Sequence, residues 1–329
     1  MMKRIAAIIL LAITLLLCGC SNHRVRRIRL NGAALGETYS ECIGESTTVR
    51  NMSDDSSDFY RLTQLPVYEI IPRQLTPEEF REFAEAFGAA EGVYDTEWDY
   101  TYATNGVAAV YMGKSLDYAG YEIRLSCGTD NVPYVPVSDE RLEEIAWEVF
   151  NRIPFLKGLD YEYVGQVGER AVTSPSGFKF IECVRVKFRR LVDGIPVNGN
   201  DMCQMYINGA GVYEVDMYVY DYKKSGMMDV VPYKTALENV REPDGMVIPA
   251  EQKHMKGKAD TMTVESTKLF YMNQYYDDFE DEGMILQPYY SLKGTLSNST
   301  GSAEFYSLII AIPNKYTYKE KLYTDDDCC

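Results

Sequence analysis

Histidine is almost absent: the 329 residues hold two, His23 and His254. That removes the commonest general base and metal ligand from nearly every position. Neither histidine has neighbours that suggest a triad or a metal site, His254 lying in the lysine-rich stretch Glu251–Lys258. Tryptophan is equally scarce, at two. No His-Glu-x-x-His, no Gly-x-Ser-x-Gly and no glycine-rich phosphate loop occurs, so the motifs of zinc proteolysis, serine hydrolysis and nucleotide binding are missing. Ser299 and Cys127 have no histidine nearby to activate them. The densest acidic run, Asp277–Gly283, lacks the alternating aspartates and central glycine of a calcium loop and reads as a solvated hairpin loop. The eight cysteines fit no zinc spacing. No catalytic residue, metal or cofactor is expected. Long apolar runs are limited to Ile5–Leu17, short of the roughly 20 residues that span a bilayer.

That run follows the basic start Met1–Arg4 and precedes Leu17-Cys18-Gly19-Cys20, the order of a signal segment. The tetrad resembles the lipobox of bacterial lipoproteins. The resemblance implies cleavage between Gly19 and Cys20, a lipid on the Cys20 thiol, and anchorage on the extracytoplasmic face of the bacterial cell membrane. An uncleaved anchor helix is the alternative. Arg24, Arg26, Arg27 and Arg29 follow closely and read as a second membrane contact, worth about 1 kcal/mol each at an anionic surface. A solvated basic linker is the bland reading.

The net charge is −16. Such a chain repels phosphate backbones, and no nucleic-acid motif appears, so nucleic acid is not an expected partner. Apolar residues make up 46% and charged residues 25%, ordinary values for folded domains. Of the cysteines behind the lipobox, Cys42, Cys127, Cys183, Cys203, Cys328 and Cys329 leave disulfide pairing open. The adjacent last two read as the end of an acidic tail.

Residues 20–58 are rich in Gly, Ser, Thr, Asn and Asp and read as a lipid-anchored tether with little fixed structure. The first expected unit, 59–130, opens with a strand at 65–71. Thr76-Pro77-Glu78-Glu79 then starts a helix with a capping box. Phe80, Phe83, Ala84 and Phe87 follow helical spacing, Gly88 stops it, and strands follow at 96–104, 106–112 and 121–127. The second unit, 131–223, repeats the order: a helix capped by Ser138, then strands at 161–167, 178–191, 202–207 and 212–222. The third, 224–329, has a short helix at 232–240 and strands at 264–276, 285–296 and 303–312. The expected class is α+β, tandem units of one helix on an antiparallel meander.

Asp193-Gly194 reads as a hairpin turn. A two-residue turn sets Val184 opposite Cys203 and points Cys183 and Cys203 to opposite faces. A three-residue loop would face them to each other. Apolar faces match in the first register, so no disulfide is expected between the two. Alternation along 213–222 puts Tyr218, Tyr220 and Tyr222 on one face, a candidate surface for a peptide or glycan; a half-exposed face packed under a helix is the other reading.

The stretch Phe188–Asp201 with Met205–Val212 resembles the hairpin of the PepSY and thermolysin-propeptide group. Lys268–Met272 with Leu286–Leu292 resembles the C-terminal module of YycH/YycI-type extracytoplasmic regulators. The resemblance spans residues 138–312 and implies non-catalytic modules that inhibit peptidases, assist folding or restrain sensor kinases. The expected function is therefore a non-enzymatic surface lipoprotein binding an envelope protein, a peptidase or a sensor ectodomain. A wall hydrolase using two carboxylates and a solute-binding lipoprotein are the alternatives.

Overall fold

Thr76 opens the first helix, α1 (Pro77–Ala86), as its capping residue: its Oγ1 accepts from the Glu79 amide, and the Glu79 carboxylate accepts from the Thr76 amide. Two otherwise orphaned N–H groups are thereby satisfied. Ser138 caps α2 (Asp139–Phe150) with its hydroxyl, and a single 3-10 turn at Pro154–Leu156 follows. A third helix, α3 (Tyr233–Glu238), is short. The computed structural model describes residues 28–29, 42–43, 46–53, 61–89, 91–95, 100–114, 121–128, 132–173, 177–199, 201–238, 240, 246–249, 255–273, 285–311 and 317–318.

The chain divides into two units. Met1–Leu35 with Pro313–Cys329 is one, in which β1 (Ile28–Arg29) and β18 (Thr317–Tyr318) pair in parallel. Gly36–Ile312 is the other, and it holds every other described element. Its strands are β2 (Thr48–Asn51), β3 (Gln64–Pro72), β4 (Glu91–Asp95), β5 (Tyr100–Thr104), β6 (Ala109–Lys114), β7 (Tyr121–Ser126), β8 (Tyr161–Thr173), β9 (Lys179–Val192), β10 (Ile195–Gly199), β11 (Met202–Asn208), β12 (Gly211–Tyr218), β13 (Tyr220–Asp229), β14 (Met246–Pro249), β15 (Thr261–Asn273), β16 (Gln287–Asn298) and β17 (Gly301–Ile310).

One hydrogen-bonded sheet joins most of them. Its first half is an antiparallel run in the order β8-β9-β11-β12-β7-β6-β5-β4. Its second half is β15-β16-β17-β14, also antiparallel, with β2 parallel to β15. The hairpin β9–β10 connects the halves. Asp193 (φ 50°) and Gly194 (φ 76°) are both left-handed, as a tight two-residue hairpin turn requires. After two antiparallel pairs with β9, β10 leaves to run parallel with β15, Val197 to Gly199 opposite Tyr271 to Asn273. A separate ribbon pairs β3 with β13.

Strands dominate, and the α+β class holds in that coarse sense. The three expected helix-plus-meander units do not have a core each. Strand β7 of the first pairs with β12 of the second, so α1 and α2 both cover the same sheet half and share one core. Phe188 is its centre: fully buried, it stacks on Phe150 at 4.4 Å and meets Trp147 edge-on at 4.8 Å. A second core joins α3, with Tyr233 and Ala236, to the apolar face of β15, β16 and β17. Cys42, Ile43 and Thr47 are buried, and the Thr47 hydroxyl donates to the Ala259 carbonyl at 2.7 Å. Residues 42–43 and 46–51 thus belong to the fold rather than to a tether, because β2 covers part of the β15 edge. A third cluster, with Tyr68, Ile70, Tyr218, Tyr220, Tyr271 and Leu286, lies between the ribbon and the β9–β10 hairpin.

The register of β11 also differs from the hairpin reading. Cys203 pairs with Phe188 and Ile207 with Val184, a shift of four residues produced by the excursion of β10 to β15. An even shift keeps every side chain on its face. Cys203 therefore stays on the core face and Cys183 on the other, and both are free thiols.

Candidate functional site

Alternation on the first sheet half seals one face with apolar side chains and gives the other mostly polar, part-exposed ones. Val184, Val186, Phe188, Cys203, Met205, Val215, Met217, Ile123, Leu125, Val110 and Met112 point into the helices' core. Their sequence neighbours point the opposite way, and strand register arranges them in rows. One row reads Gly168, Arg185, Tyr206, Glu214, Ser126, Ala109. The next reads Gly165, Lys187, Gln204, Asp216, Arg124, Tyr111, Tyr102. A third, with Arg189, Met202 and Tyr218, runs under the third apolar cluster.

Charge on this face is sorted by strand. Strand β9 carries Arg185, Lys187 and Arg189. Two strands away, about 10 Å at ordinary strand spacing, β12 carries Glu214 and Asp216. Arg124 sits among the acids: its Nε donates to Asp216 at 2.8 Å and its Nη2 to Glu122 at 2.7 Å, with Glu214 3.8 Å away. Burial works against that guanidinium, but Asp216, Glu122 and Glu214 outweigh it and hold its pKa above the usual value. Burial, with Asp216 beside it, raises the Glu214 carboxyl. Burial lowers the Lys187 ammonium, and Arg189 and Arg185 lower it further. Arg189 is tied to Glu162 at 2.9 Å and donates to the Asn198 side chain at 2.8 Å.

Toward β8, Arg170 covers the Tyr206 ring at 5.2 Å and donates to the Tyr213 hydroxyl at 3.2 Å. Tyr213 in turn donates to the Cys183 sulfur at 3.4 Å. Toward β5, an open depression of about 300 Å³ is lined by Tyr102, Ala109, Tyr111, Glu122, Arg124 and Ser126. That is the low end of small-molecule pockets, and the depression is open to solvent rather than enclosed. The face suits a flat partner better than an enclosed solute.

The tyrosines chosen from the sequence do not form this surface. The strand read at 212–222 breaks at Val219, whose carbonyl accepts from the Arg73 amide at 3.0 Å. Tyr218 ends β12 opposite Met202, while Tyr220 begins β13 opposite Pro72. Tyr218 and Tyr220 are buried in the third cluster and Tyr222 packs against it, so all three gather on one side but not on the open surface. Tyr222 donates its hydroxyl to Asp201 at 2.7 Å. Asp201 is wholly buried and also accepts from Tyr161 at 3.3 Å. Asn273 donates to the Tyr222 hydroxyl at 3.1 Å. Burial pushes the Asp201 carboxyl up to about 7, against the hydrogen bonds from Tyr222 and Tyr161 and the charge of Arg190.

No family model matches the chain, and no curated protein matches it. Among solved structures, the crystal structure of YycH from Bacillus subtilis is similar at 8% identity and a TM-score of 0.36, over 74% of this chain and 52% of that one. The chain thus spans about half the length of that neighbour. The PepSY and YycH/YycI resemblances in the sequence therefore stand on their own strand and turn residues.

Gly19, Cys20, Arg24, Arg26 and Arg27 lie outside the described residues, as do His254 and the acidic run 277–283, while Arg29 is described only as part of β1. No helix among the described residues is long and apolar enough to cross a membrane. The charged columns of the open face were not singled out from the sequence. Their signal was the alternation Val184-Arg185-Val186-Lys187-Phe188-Arg189, one apolar and one cationic residue in turn.

Proposed function

We propose that this chain is a non-catalytic, lipid-anchored binding protein of the bacterial cell surface that docks an envelope protein, a peptidase or a sensor ectodomain, on the open face of its first sheet half. One observation supports this most directly: helices seal one side of the sheet, while the other carries ion-paired charges and tyrosines in fixed rows. Such a face is organised before a partner arrives, so little side-chain entropy is lost on docking. Its alternating charge supplies the complementarity that selects a partner. Anchorage rests on the lipobox reading of Gly19 and Cys20, with Arg24, Arg26, Arg27 and Arg29 against the membrane.

A photo-cross-linking residue at Gln204 or Tyr102, on the open face, tests docking in the native host. Glu148, on the outer side of α2, is the control position. Capture of one envelope protein from the open-face positions alone is expected. Equal capture from Glu148, or none from the open face of a correctly anchored protein, refutes the reading. Cys20→Ala is expected to abolish palmitate labelling and release the chain from the membrane fraction.

A further inference from the structure

The β9 column is a local exception in an acidic chain. Arg185, Lys187 and Arg189 share one face and one strand, with side chains repeating about every 7 Å. Like charges so placed repel one another. Among the described residues the Lys187 ammonium has no hydrogen-bond or ion-pair partner, and its charged neighbours are the two arginines. The Arg185 Nε is buried with no hydrogen-bond partner.

The neighbouring strand leaves room beside Lys187, while the Arg185 guanidinium lies against Gly168. Gly165 lies opposite Lys187 and Gly168 opposite Arg185. A Cβ at Gly165 would meet nothing within 4 Å, and one at Gly168 would lie 3.1 Å from the Arg185 Nη2. On the other side stand Gln204 and Tyr206, both polar and half-buried. Beyond them the acids of β12 repel anything negative that strays across the sheet. An anionic ligand is thereby confined to the β9 line.

From this geometry we infer that the β9 column binds an extended acidic segment of the docked protein, whose alternate Asp or Glu side chains face Arg185 and Lys187, Arg189 being held by Glu162 and Asn198. The match is one of period: side chains on one face of an extended segment repeat at the same interval as those of the strand beneath. The Arg185 guanidinium takes a carboxylate in charge-assisted hydrogen bonds, and the Lys187 ammonium supplies a further donor beside it. The inference rests on the docking reading and specifies the partner's chemistry.

The test uses the full chain in detergent, with fluorescence anisotropy of three probes: an alternating Glu-Thr peptide, an alternating Lys-Thr peptide and inorganic polyphosphate. The Glu-Thr peptide is expected to bind and the Lys-Thr peptide not. Lys187→Gln should weaken binding about tenfold, as for one lost charge-assisted contact, and Lys187→Glu should weaken it further. Arg141→Gln, on the exposed side of α2, should change nothing. Both Lys187 variants remove a cation from a repelling row and are expected to fold, which their urea midpoints check. Absence of Glu-Thr binding, or equal binding by the wild type and both Lys187 variants, overturns the inference. Binding of polyphosphate without the peptide overturns it in favour of a phosphate polymer. Undiminished cross-linking from Gln204 in Lys187→Glu would leave the docking reading standing and remove the acidic segment alone.

Discussion

Replacing Asp201 by Asn should change how stability responds to pH more than it changes the fold. The carboxyl is wholly buried where the chain returns from β10 to β11. Tyr222 and Tyr161 donate to it, and Asn273 secures Tyr222. Arg190, whose guanidinium lies 5.3 Å over the Tyr161 ring, keeps its Nε and Nη1 buried without hydrogen-bond partners. Burial is the largest influence and raises the carboxyl to about 7, against about 3.9 in an unfolded chain. The folded state therefore holds this proton more tightly than the unfolded state. The stabilisation is fully present below about pH 4 and is lost as pH rises through about 7. Three pK units correspond to about 4 kcal/mol. Asn keeps an acceptor for the tyrosines and cannot ionise. Urea unfolding of the wild type and Asp201→Asn, followed by intrinsic fluorescence from about pH 5 to about pH 8, gives the comparison. The wild type should lose about 2.5 kcal/mol of stability relative to the variant across that range, the rest of the difference lying below about pH 5. Parallel pH profiles would refute the buried-carboxylate argument outright.

Phe188→Ala should cost about 3–5 kcal/mol in urea unfolding, because a fully buried ring packed on Phe150, Trp147 and Tyr163 leaves a cavity. At Gly199 (φ +113°) a Cβ would lie 1.8 Å from the Asn273 carbonyl oxygen, so Gly199→Ala should cost about 3 kcal/mol or more. Gly194→Ala, also at positive φ but with nothing within 4 Å, should cost only about 1 kcal/mol. Equal unfolding midpoints for the two glycine variants would contradict the close approach of β10 to β15. Cys203, buried and with its thiol pKa raised by that burial, should resist thiol-reactive dyes in the native protein and react in urea. Cys183 and Cys203 should also give no disulfide-linked peptide under non-reducing digestion.

What the sequence disclosed follows the range of the forces involved. The starts of α1 and α2 were legible because a capping hydroxyl acts within four residues, and Thr76 and Ser138 announce themselves locally. The matching apolar faces of β9 and β11 were equally plain. The break at Val219 was not, because Tyr213 to Tyr222 reads as one strand whichever sheet its end joins. Only the pairing of Tyr220 with Pro72 decides it. Residues 42–43 and 46–51 read as tether because the composition around them is polar, yet three buried side chains and four parallel pairs with β15 hold them. Local composition carries no information about a distant edge that needs covering. The charged columns were visible residue by residue but not as columns, since a column exists only once register aligns β7, β12, β11 and β9.

The junction between the sheet halves shows the same limit in sharper form. Three parallel pairs, Val197 to Gly199 against Tyr271 to Asn273, are too few for apolar matching alone to define a register. Polar contacts supply the definition. Gly199 admits the Asn273 backbone, the Asn273 amide donates to Tyr222, and Tyr222 donates to Asp201 on the returning chain. A slip of one residue would strand a buried carboxyl and an amide without partners, at about 1–3 kcal/mol for each neutral group and more for a charge. A two-residue slip would keep the apolar faces but put another side chain at the position of Gly199. Register at this junction is therefore specified by one missing Cβ and a short hydrogen-bond chain that links residues far apart in sequence. That is also why a two-residue hairpin reading of 178–207 could assign every residue to its correct face and still misplace the pairing by four.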